Sequence, residues 1–217
     1  MLQTITPEYA ELNRQLHTCE TNSYGGGGFR FADMLAGLRD QTQSQTVLDY
    51  GCGKGTLANA LGRPEWLAEY DPAIAGKDAK PERADIVVCT DVLEHIEPHL
   101  LDNVLKHIAD LANKAVLLVI ATRPARKILS DGRNAHLIIE SAAWWKAKLE
   151  TYFLISHWNA TADEIICVGT TVRQINEMVA QSAVSETLRF ENAVRNCALV
   201  SDRVHEAPRH ERRVAVV

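Results

Sequence analysis

The stretch VLDYGCGKG at residues 47–55 joins a short apolar segment to a turn with three alternating glycines, Gly51, Gly53 and Gly55. Positions without a side chain let the backbone approach a bound ligand closely, and a helix predicted to begin near Thr56 offers unpaired N–H groups and a positive dipole end. The glycine spacing matches neither the dinucleotide fingerprint nor the phosphate-binding P-loop. We therefore expect a polar or anionic part of a different cofactor at this turn.

Two further segments follow in the order expected of an open α/β sheet. The segment WLAEYDP at 66–72 is predicted to be a second strand that ends in Asp71. A carboxylate at that strand end can accept two hydrogen bonds from a ribose diol, which favours an adenosine-type cofactor. The run ADIVVCT at 84–90 is predicted to be a buried strand, and DVLEHI follows it at 91–96.

These segments together resemble the motifs of the class I S-adenosylmethionine-dependent methyltransferases. The first motif of that family, D/E-x-G-x-G-x-G, matches Asp49 to Gly55, and its acidic second-strand position matches Asp71. Its fourth-strand segment, which often ends in LEHI, matches Val87 to Ile96. The resemblance spans residues 45–170. It implies S-adenosyl-L-methionine as the cofactor and a Rossmann-like, doubly wound, mostly parallel α/β sheet.

The same resemblance implies which residues contact the cofactor. Asp49 and the glycines of the turn would shape the methionine end, Asp71 would hold the ribose, and Thr90 would border the sulfonium with Asp91. Asp78 is the candidate for an acid that contacts adenine, although it also fits a solvated loop charge. The full predicted set is Asp49, Gly51, Cys52, Gly53, Gly55, Asp71, Pro72, Asp78, Thr90, Asp91 and Tyr24.

Alternating strand and helix signals predict a parallel sheet with helices on both faces. The predicted strands cover residues 46–50, 66–70, 85–90, 115–121, 152–158 and 164–170. Only residues 159–163 separate the last two strands, and this hairpin-length connection predicts an antiparallel strand at the sheet edge. Residues 72–84 leave too little chain for the helix and strand that the family normally has there. The third strand should therefore be short or missing.

One domain is the default for 217 residues with 46% hydrophobic content, and we divide it into three parts. Residues 1–44 are predicted to be helical, with a lid formed by Tyr24 and four consecutive glycines; a plain linker is the alternative. Residues 45–172 form the S-adenosylmethionine-binding core. Residues 173–217 are predicted to contain a long helix, which packs on the core or forms a homodimer, and a mobile basic tail.

Composition argues against some classes of partner. The net charge of −5 is unusual for a general nucleic-acid clamp. No apolar run reaches the roughly 18 to 20 residues that span a bilayer, and the amino end lacks a secretion-signal pattern. The five cysteines are scattered and contain no C-x-x-C pair, which suits a reducing compartment. We expect a cytoplasmic enzyme without a membrane partner.

Two histidines are the candidates for acid–base chemistry. Methylation of a hydroxyl requires loss of a proton, and histidine is the natural base near neutral pH. His95 follows the carboxyl end of one predicted strand, and His136 lies in the loop after another; the alternative is that each only packs or caps a helix. Because N-methylase signatures of the N/D-P-P-Y/W type are absent, the sequence favours O-methylation of a small-molecule, glycan or nucleotide-linked acceptor.

Two other functions stay open, although the main expectation includes no metal. Asp91, Glu94, His95 and His136 resemble, in order, the E-x-x-E-H and later His of the small-RNA 3′-terminal 2′-O-methyltransferases. That resemblance implies a divalent metal held by these residues and an RNA acceptor, but similar segments occur in metal-free relatives. A nucleic-acid acceptor is therefore the less favoured one. The other function is a catalytically silent cofactor-binding or scaffold subunit.

A basic loop lies where an acceptor should enter. Residues 123–134 contain the cations Arg123, Arg126, Lys127 and Arg133. Such side chains can anchor an acidic or phosphorylated acceptor, but surface loops are also commonly basic. The sequence does not decide between these two interpretations.

Overall fold

The computed structural model describes residues 2–18, 24–171 and 182. Its helices are α1 (Pro7–Thr18), α2 (Ala32–Gln41), α3 (Thr56–Ala60), α4 (Leu101–Leu111) and α5 (Ala142–Leu149). Its strands are β1 (Val47–Tyr50), β2 (Leu67–Tyr70), β3 (Ala84–Thr90), β4 (Ala112–Ala121), β5 (Phe153–Ala160) and β6 (Glu164–Thr171). Short 3₁₀ turns cover Gly28–Phe31, Leu93–His95 and Pro98–Leu100. The six predicted strands are confirmed.

The strands form one mixed sheet in the order β2-β1-β3-β4-β6-β5. Strand β1 pairs in parallel with β2 and β3, and β3 pairs in parallel with β4. Strand β6 is antiparallel to both β4 and β5. The predicted Rossmann-like fold is confirmed, but the antiparallel strand lies one position inside the edge. The hairpin places β6 against β4, so β5 becomes the edge strand.

The connection between β2 and β3 contains turns instead of a third strand. The backbone N–H of Asp71 donates to the carbonyl of Lys77 at 2.9 Å. Within that loop, Ile74 N–H donates to the Asp71 carbonyl and Lys77 N–H donates to the Ile74 carbonyl, at 3.2 and 3.0 Å. These bonds close the loop tightly beside the end of β2. The missing third strand is therefore confirmed, and β2 forms the other edge.

Apolar side chains cover both faces of the sheet. On one face, helices α4 and α5 bury a cluster that includes Leu105, Ile108, Trp145 and Leu149. On the opposite face, a second cluster includes Leu35, Leu38 and Leu57 from helices α2 and α3. Strands β3 and β4 are almost continuously buried, as expected for central strands with helices on both sides. Because β1 to β4 are parallel, their carboxyl ends lie together along one side of the sheet, which is called the carboxyl edge below.

The amino-terminal helix is attached to the same edge. The hydroxyl of Thr6 accepts a hydrogen bond from Tyr9 N–H at 3.2 Å and so caps the start of α1. The backbone N–H and the hydroxyl of Thr6 both donate to the buried carboxylate of Glu97, at 2.9 and 2.8 Å. Because Glu97 follows β3, these two bonds connect the start of α1 to the carboxyl edge of the sheet.

The long helix, the basic tail and the homodimer contact predicted for residues 173–217 lie outside the described residues, apart from Ser182. The three-part division of the chain stays a prediction. Among the helices that the structure describes, none has both the length and the apolar content needed to cross a bilayer.

Candidate active site

A cavity of about 520 Å³ opens at the carboxyl edge of the sheet. This edge is where open α/β sheets bind ligands, and the volume lies in the range of small-molecule sites. Helix α1 and the glycine loop at 24–28 form one wall. The remaining walls come from residues after β1, β2, β3 and β4, within the segments 49–53, 71–73, 90–96 and 121–127, and from His136.

The glycine turn after β1 requires glycine for two separate reasons. Gly51 and Gly53 have φ angles of +77° and +52°, in the left-handed region that other residues rarely adopt. A side chain would also collide with neighbouring segments. A Cβ atom on Gly53 would lie 2.6 Å from the carbonyl oxygen of Gly25, and one on Gly51 would overlap Val92. The backbone of the turn is thus packed against the glycine loop and lines the cavity.

Asp71 connects this turn to the end of β2. One oxygen of its buried carboxylate accepts Gly53 N–H at 3.1 Å, and the other accepts Ala73 N–H at 2.9 Å. The carbonyl of Tyr70 accepts N–H groups of Gly51 and Cys52 at 2.7 and 3.1 Å. A carboxylate has about four lone-pair sites, so Asp71 retains acceptor capacity for a ribose diol.

A charged pair beneath the turn was not predicted from the sequence. The ammonium of Lys77 donates to the Gly53 carbonyl at 3.1 Å and to the Glu69 carboxylate at 3.0 Å. Nearby, burial raises the pKa of the Asp49 carboxyl to about 7; Glu69 raises it further, whereas Lys77 opposes the shift. Lys77 belongs to the loop that replaces the third strand. The sequence indicated this pair only through the short length of the loop that contains Lys77.

The glycine loop lies directly against the cavity. The hydroxyl of Tyr24 donates to the side-chain oxygen of Asn13 at 2.7 Å, and its ring meets the ring of His95 edge-on at 5.4 Å. A Cβ atom on Gly25 would lie 2.6 Å from the ring of His17, and one on Gly27 would lie 2.7 Å from the Asp91 carboxylate. The loop therefore makes close contacts in this structure, and its opening as a lid stays a prediction.

The two predicted histidines come together at the cavity wall. Their rings are perpendicular, with centroids 4.6 Å apart. Nδ1 of His95 lies 2.7 Å from the Ala135 carbonyl, and Nδ1 of His136 lies 2.6 Å from the Arg123 carbonyl. A carbonyl only accepts, so Nδ1 carries the proton in both rings and each Nε2 keeps a lone pair. Burial lowers both pKa values, that of His95 to about 3, so both rings are neutral.

Glu94 lies next to the histidines and is completely buried. Its Oε1 accepts Ala121 N–H at 2.9 Å, whereas Oε2 has no hydrogen-bond partner among the described residues. Burial raises the pKa of this carboxyl to about 8, and the charge of Asp91 raises it further. One ligand atom each from Glu94, His95 and His136 lies within 4.8 Å of the others, a spacing that can accommodate a metal ion.

Asp91 is separated from this group by its own ion pair. Its carboxylate accepts from the guanidinium of Arg30 at 3.2 Å, and Arg30 also donates to Glu164 at 2.8 Å. Asp91 has a φ angle of +55° and still lines the cavity. Since Arg30 holds its carboxylate, the geometry leaves Asp91 out of the predicted four-residue metal set.

Most of the predicted cofactor residues line this cavity, but two do not. Those that line it are Asp49, Gly51, Cys52, Gly53, Asp71, Pro72, Thr90, Asp91 and Tyr24. Gly55 instead precedes helix α3, where a Cβ atom would overlap the Glu69 carboxylate. Asp78 is exposed, and its carboxylate accepts Gly76 N–H at 3.1 Å. Asp78 does not line the cavity, and its contact with adenine stays a prediction.

Comparison with known proteins gives one family and a set of solved structures. The family described as "Methyltransferase domain" matches residues 28–162, more than half of the chain. No curated protein sequence matches. A solved 1,6-didemethyltoxoflavin-N1-methyltransferase from Burkholderia thailandensis, with bound 1,6-didemethyltoxoflavin and S-adenosylhomocysteine, is 15% identical; the match covers 78% of this chain and 92% of that chain, with a TM-score of 0.57.

Two other solved structures are similar. The complex of DhpI with S-adenosylhomocysteine is 14% identical, with 76% of this chain and 98% of that chain covered and a TM-score of 0.53. The N-methyltransferase NodS from Bradyrhizobium japonicum WM9, with S-adenosylhomocysteine, is 14% identical, with 77% and 100% covered and a TM-score of 0.50. At these identities the likeness shows a shared fold.

Replacing Gly53 with alanine should weaken binding of S-adenosylhomocysteine by about tenfold or more, because the new Cβ forces the turn away from Gly25. The matched control is Gly62→Ala. Gly62 has a similar φ of +74°, but a Cβ there meets nothing within 4 Å. Calorimetric titration of both variants separates displacement of the turn from general backbone strain. Equal affinities for the two variants would contradict a role of this turn in cofactor binding.

Proposed function

Since the chain belongs to the class I S-adenosylmethionine-dependent methyltransferases, we propose that it methylates a hydroxyl oxygen of a small-molecule, glycan or nucleotide-linked acceptor. Membership of an enzyme family argues against a catalytically silent subunit. One observation carries the choice of oxygen: a neutral imidazole, His136, lines the cavity with its Nδ1–H bonded to the Arg123 carbonyl at 2.6 Å.

The residues of the cavity fit the cofactor. The positive φ angles and close contacts of Gly51 and Gly53 expose backbone to the cavity, where the methionine end would lie. Asp71 is buried beside that turn, and its remaining lone pairs suit the ribose hydroxyls. When bound, S-adenosylmethionine supplies a methyl group that the sulfonium has already activated, and its loss leaves S-adenosylhomocysteine. The protein therefore needs only to orient the acceptor and receive its proton.

His136 is the better base of the two histidines. A base whose conjugate acid has a pKa of about 3, as in His95, is too weak to remove a hydroxyl proton efficiently. Burial also lowers the pKa of His136 and the charge of Arg123 lowers it further, whereas the hydrogen bond to the Arg123 carbonyl and the charge of Asp91 both raise it. As the acceptor oxygen bonds to the methyl carbon, its proton passes to Nε2 of His136. The ring of His95 holds His136 and Tyr24 in position on either side.

The need for a base distinguishes oxygen from nitrogen acceptors. An uncharged amine already presents a lone pair, whereas a hydroxyl must lose a proton during the transfer. The similar structures from Burkholderia thailandensis and NodS are N-methyltransferases by name, but at 15% and 14% identity the likeness shows the fold alone and does not determine the methylated atom. A small-molecule acceptor is supported by the cavity volume of about 520 Å³ and by the 1,6-didemethyltoxoflavin bound in one of these structures.

Replacing His136 with alanine should lower the methyl-transfer rate by about 10²- to 10⁴-fold and leave cofactor affinity unchanged, because the lost group acts on the acceptor proton. Transfer of labelled methyl groups to deproteinised cell extract measures the rate, and calorimetry with S-adenosylhomocysteine measures the affinity. The wild-type rate should fall with decreasing pH only below 6.5, since burial lowers the pKa of His136. Below that pKa the protonated ring no longer accepts a proton.

His99→Ala is the matched control, because His99 is exposed outside the cavity. It should retain the full rate. An unchanged rate in His136→Ala would remove His136 from the mechanism. A labelled product that carries N-methyl groups, identified by NMR, would overturn O-methylation itself.

A second function is supported by the group of Glu94, His95 and His136. Its two Nε2 lone pairs, with each Nδ1–H bonded to a backbone carbonyl, and the unpartnered Oε2 of Glu94 form a donor set suited to a divalent metal. The corresponding function is metal-assisted 2′-O-methylation of an RNA 3′ end. It lacks Asp91 as a ligand, and the net charge of −5 does not favour an RNA acceptor.

Metal removal distinguishes the two functions. If His136 is a base, treatment with EDTA should leave methyl transfer unchanged. If the metal hypothesis holds, EDTA should abolish transfer, Mn²⁺ should restore it, and mass spectrometry should find one bound ion per chain in the wild type and none in Glu94→Gln. Wild-type protein that is soaked in Mn²⁺, then desalted, and retains no ion would reject the metal site.

A further inference from the structure

Three cations line the acceptor side of the cavity and form no ion pair with any acid in the part of the chain that the structure describes. Arg123, Arg126 and Lys127 line the cavity, and among the described residues no ion pair or side-chain hydrogen bond involves any of them. Arg133 lies on the same loop but does not line the cavity, and its guanidinium is 2.7 Å from the Asp131 carboxylate. Of the four cations on this loop, the one outside the cavity is therefore ion-paired, and the three that line the cavity form no ion pair with the described residues.

The loop holds these cations in a defined arrangement. The side chain of Asn134 donates to the Ala125 carbonyl and accepts from the N–H groups of Ala125 and His136, all at 2.9 Å. The N–H of Ala135 donates to the Lys127 carbonyl at 3.0 Å. The loop is therefore folded back on itself before an acceptor arrives, which lowers the entropy lost on binding.

Acids near the acceptor side do not neutralise the three cations. The Asp91 carboxylate pairs with Arg30, at 3.2 Å. Glu94 is completely buried, its Oε1 accepts the Ala121 N–H at 2.9 Å, and among the described residues it forms no ion pair with the three cations. Asp49 and Asp71 lie on the opposite side, around the glycine turn. The acceptor side therefore has a positive charge that an anion would neutralise.

We propose that the acceptor carries an oxyanion, a phosphate or a carboxylate, close to the hydroxyl that is methylated, and that Arg123, Arg126 and Lys127 bind it. The proposal rests on the function proposed above. The position follows from the bond between the His136 ring and the Arg123 carbonyl, which keeps the base next to the cations. A guanidinium matches either oxyanion through two parallel hydrogen bonds, and Lys127 adds a point charge.

Anion binding tests the proposal without an acceptor. Protein saturated with S-adenosylhomocysteine is titrated with inorganic phosphate, followed by ³¹P line broadening, and with ¹³C-acetate, followed by ¹³C line broadening. We expect at least one of the two anions to bind about tenfold more weakly to Arg123→Gln/Lys127→Gln than to the wild type, because charge-assisted hydrogen bonds are lost. The preferred anion identifies the oxyanion. The control Arg133→Gln should bind like the wild type, and equal binding by all three proteins would overturn the proposal.

The labelled products provide a separate test. After reaction with extract, products are separated on an anion exchanger at neutral pH. Label in the retained fraction supports the proposal, and label only in the flow-through overturns it while O-methylation stands. Anionic products that carry N-methyl groups would overturn O-methylation but would still support an acceptor with an oxyanion. An extract that yields no labelled product counts against methyl transfer, and the NMR comparison then decides anion binding alone.

Discussion

A single buried carboxylate organises the cofactor side of the cavity. Asp71 accepts N–H groups from Gly53 and Ala73, so it connects the turn after β1 to the loop after β2. An unpaired buried N–H is costly, and replacing Asp71 would leave two such groups without this acceptor. The glycines permit the turn, but Asp71 determines where the turn lies. In the function proposed above the same residue also receives the ribose, so the shape of the site and its chemistry would depend on one side chain.

Charge divides the cavity into two regions. The acidic side chains of Asp49, Glu69 and Asp71 lie around the glycine turn, where Lys77 pairs with Glu69. This region suits a cofactor that carries a positive sulfonium. The loop after β4 contributes cations instead, among them Arg123. The neutral rings of His95 and His136 lie next to each other and close to Glu94. In the proposed mechanism, a hydroxyl bound beside these rings gives its proton to His136 as it receives the methyl group.

Local patterns in the sequence were sufficient for the elements and for the cofactor class. The glycine spacing predicted the turn at 51–55, and apolar runs predicted all six strands, since both signals depend on neighbouring residues. The missing third strand followed from the length of 72–84. The sequence did not predict that β6 lies one position inside the edge. A hairpin can dock with either strand inward, and only the pairing with β4 determines which strand that is.

The contacts that complete the site join residues far apart in the chain. Arg30 pairs with Asp91 and with Glu164, which are 61 and 134 positions away, and no local pattern indicates such partners. Lys77 reaches the turn only because its loop is short. In the same short loop Asp78 lies on an exposed turn, and its contact with adenine stays a prediction. The side-chain partners that meet at the carboxyl edge could therefore be identified only from the folded structure.

Calorimetric titration of S-adenosylhomocysteine into Asp71→Asn and Asp78→Asn tests the central role of Asp71 most directly. Asp71→Asn should lose about ten- to hundredfold in affinity, because a charged acceptor of backbone and ribose hydrogen bonds becomes a neutral one. Asp78→Asn should bind like the wild type, since Asp78 lies on an exposed turn. Wild-type affinity in a folded Asp71→Asn protein would contradict the account.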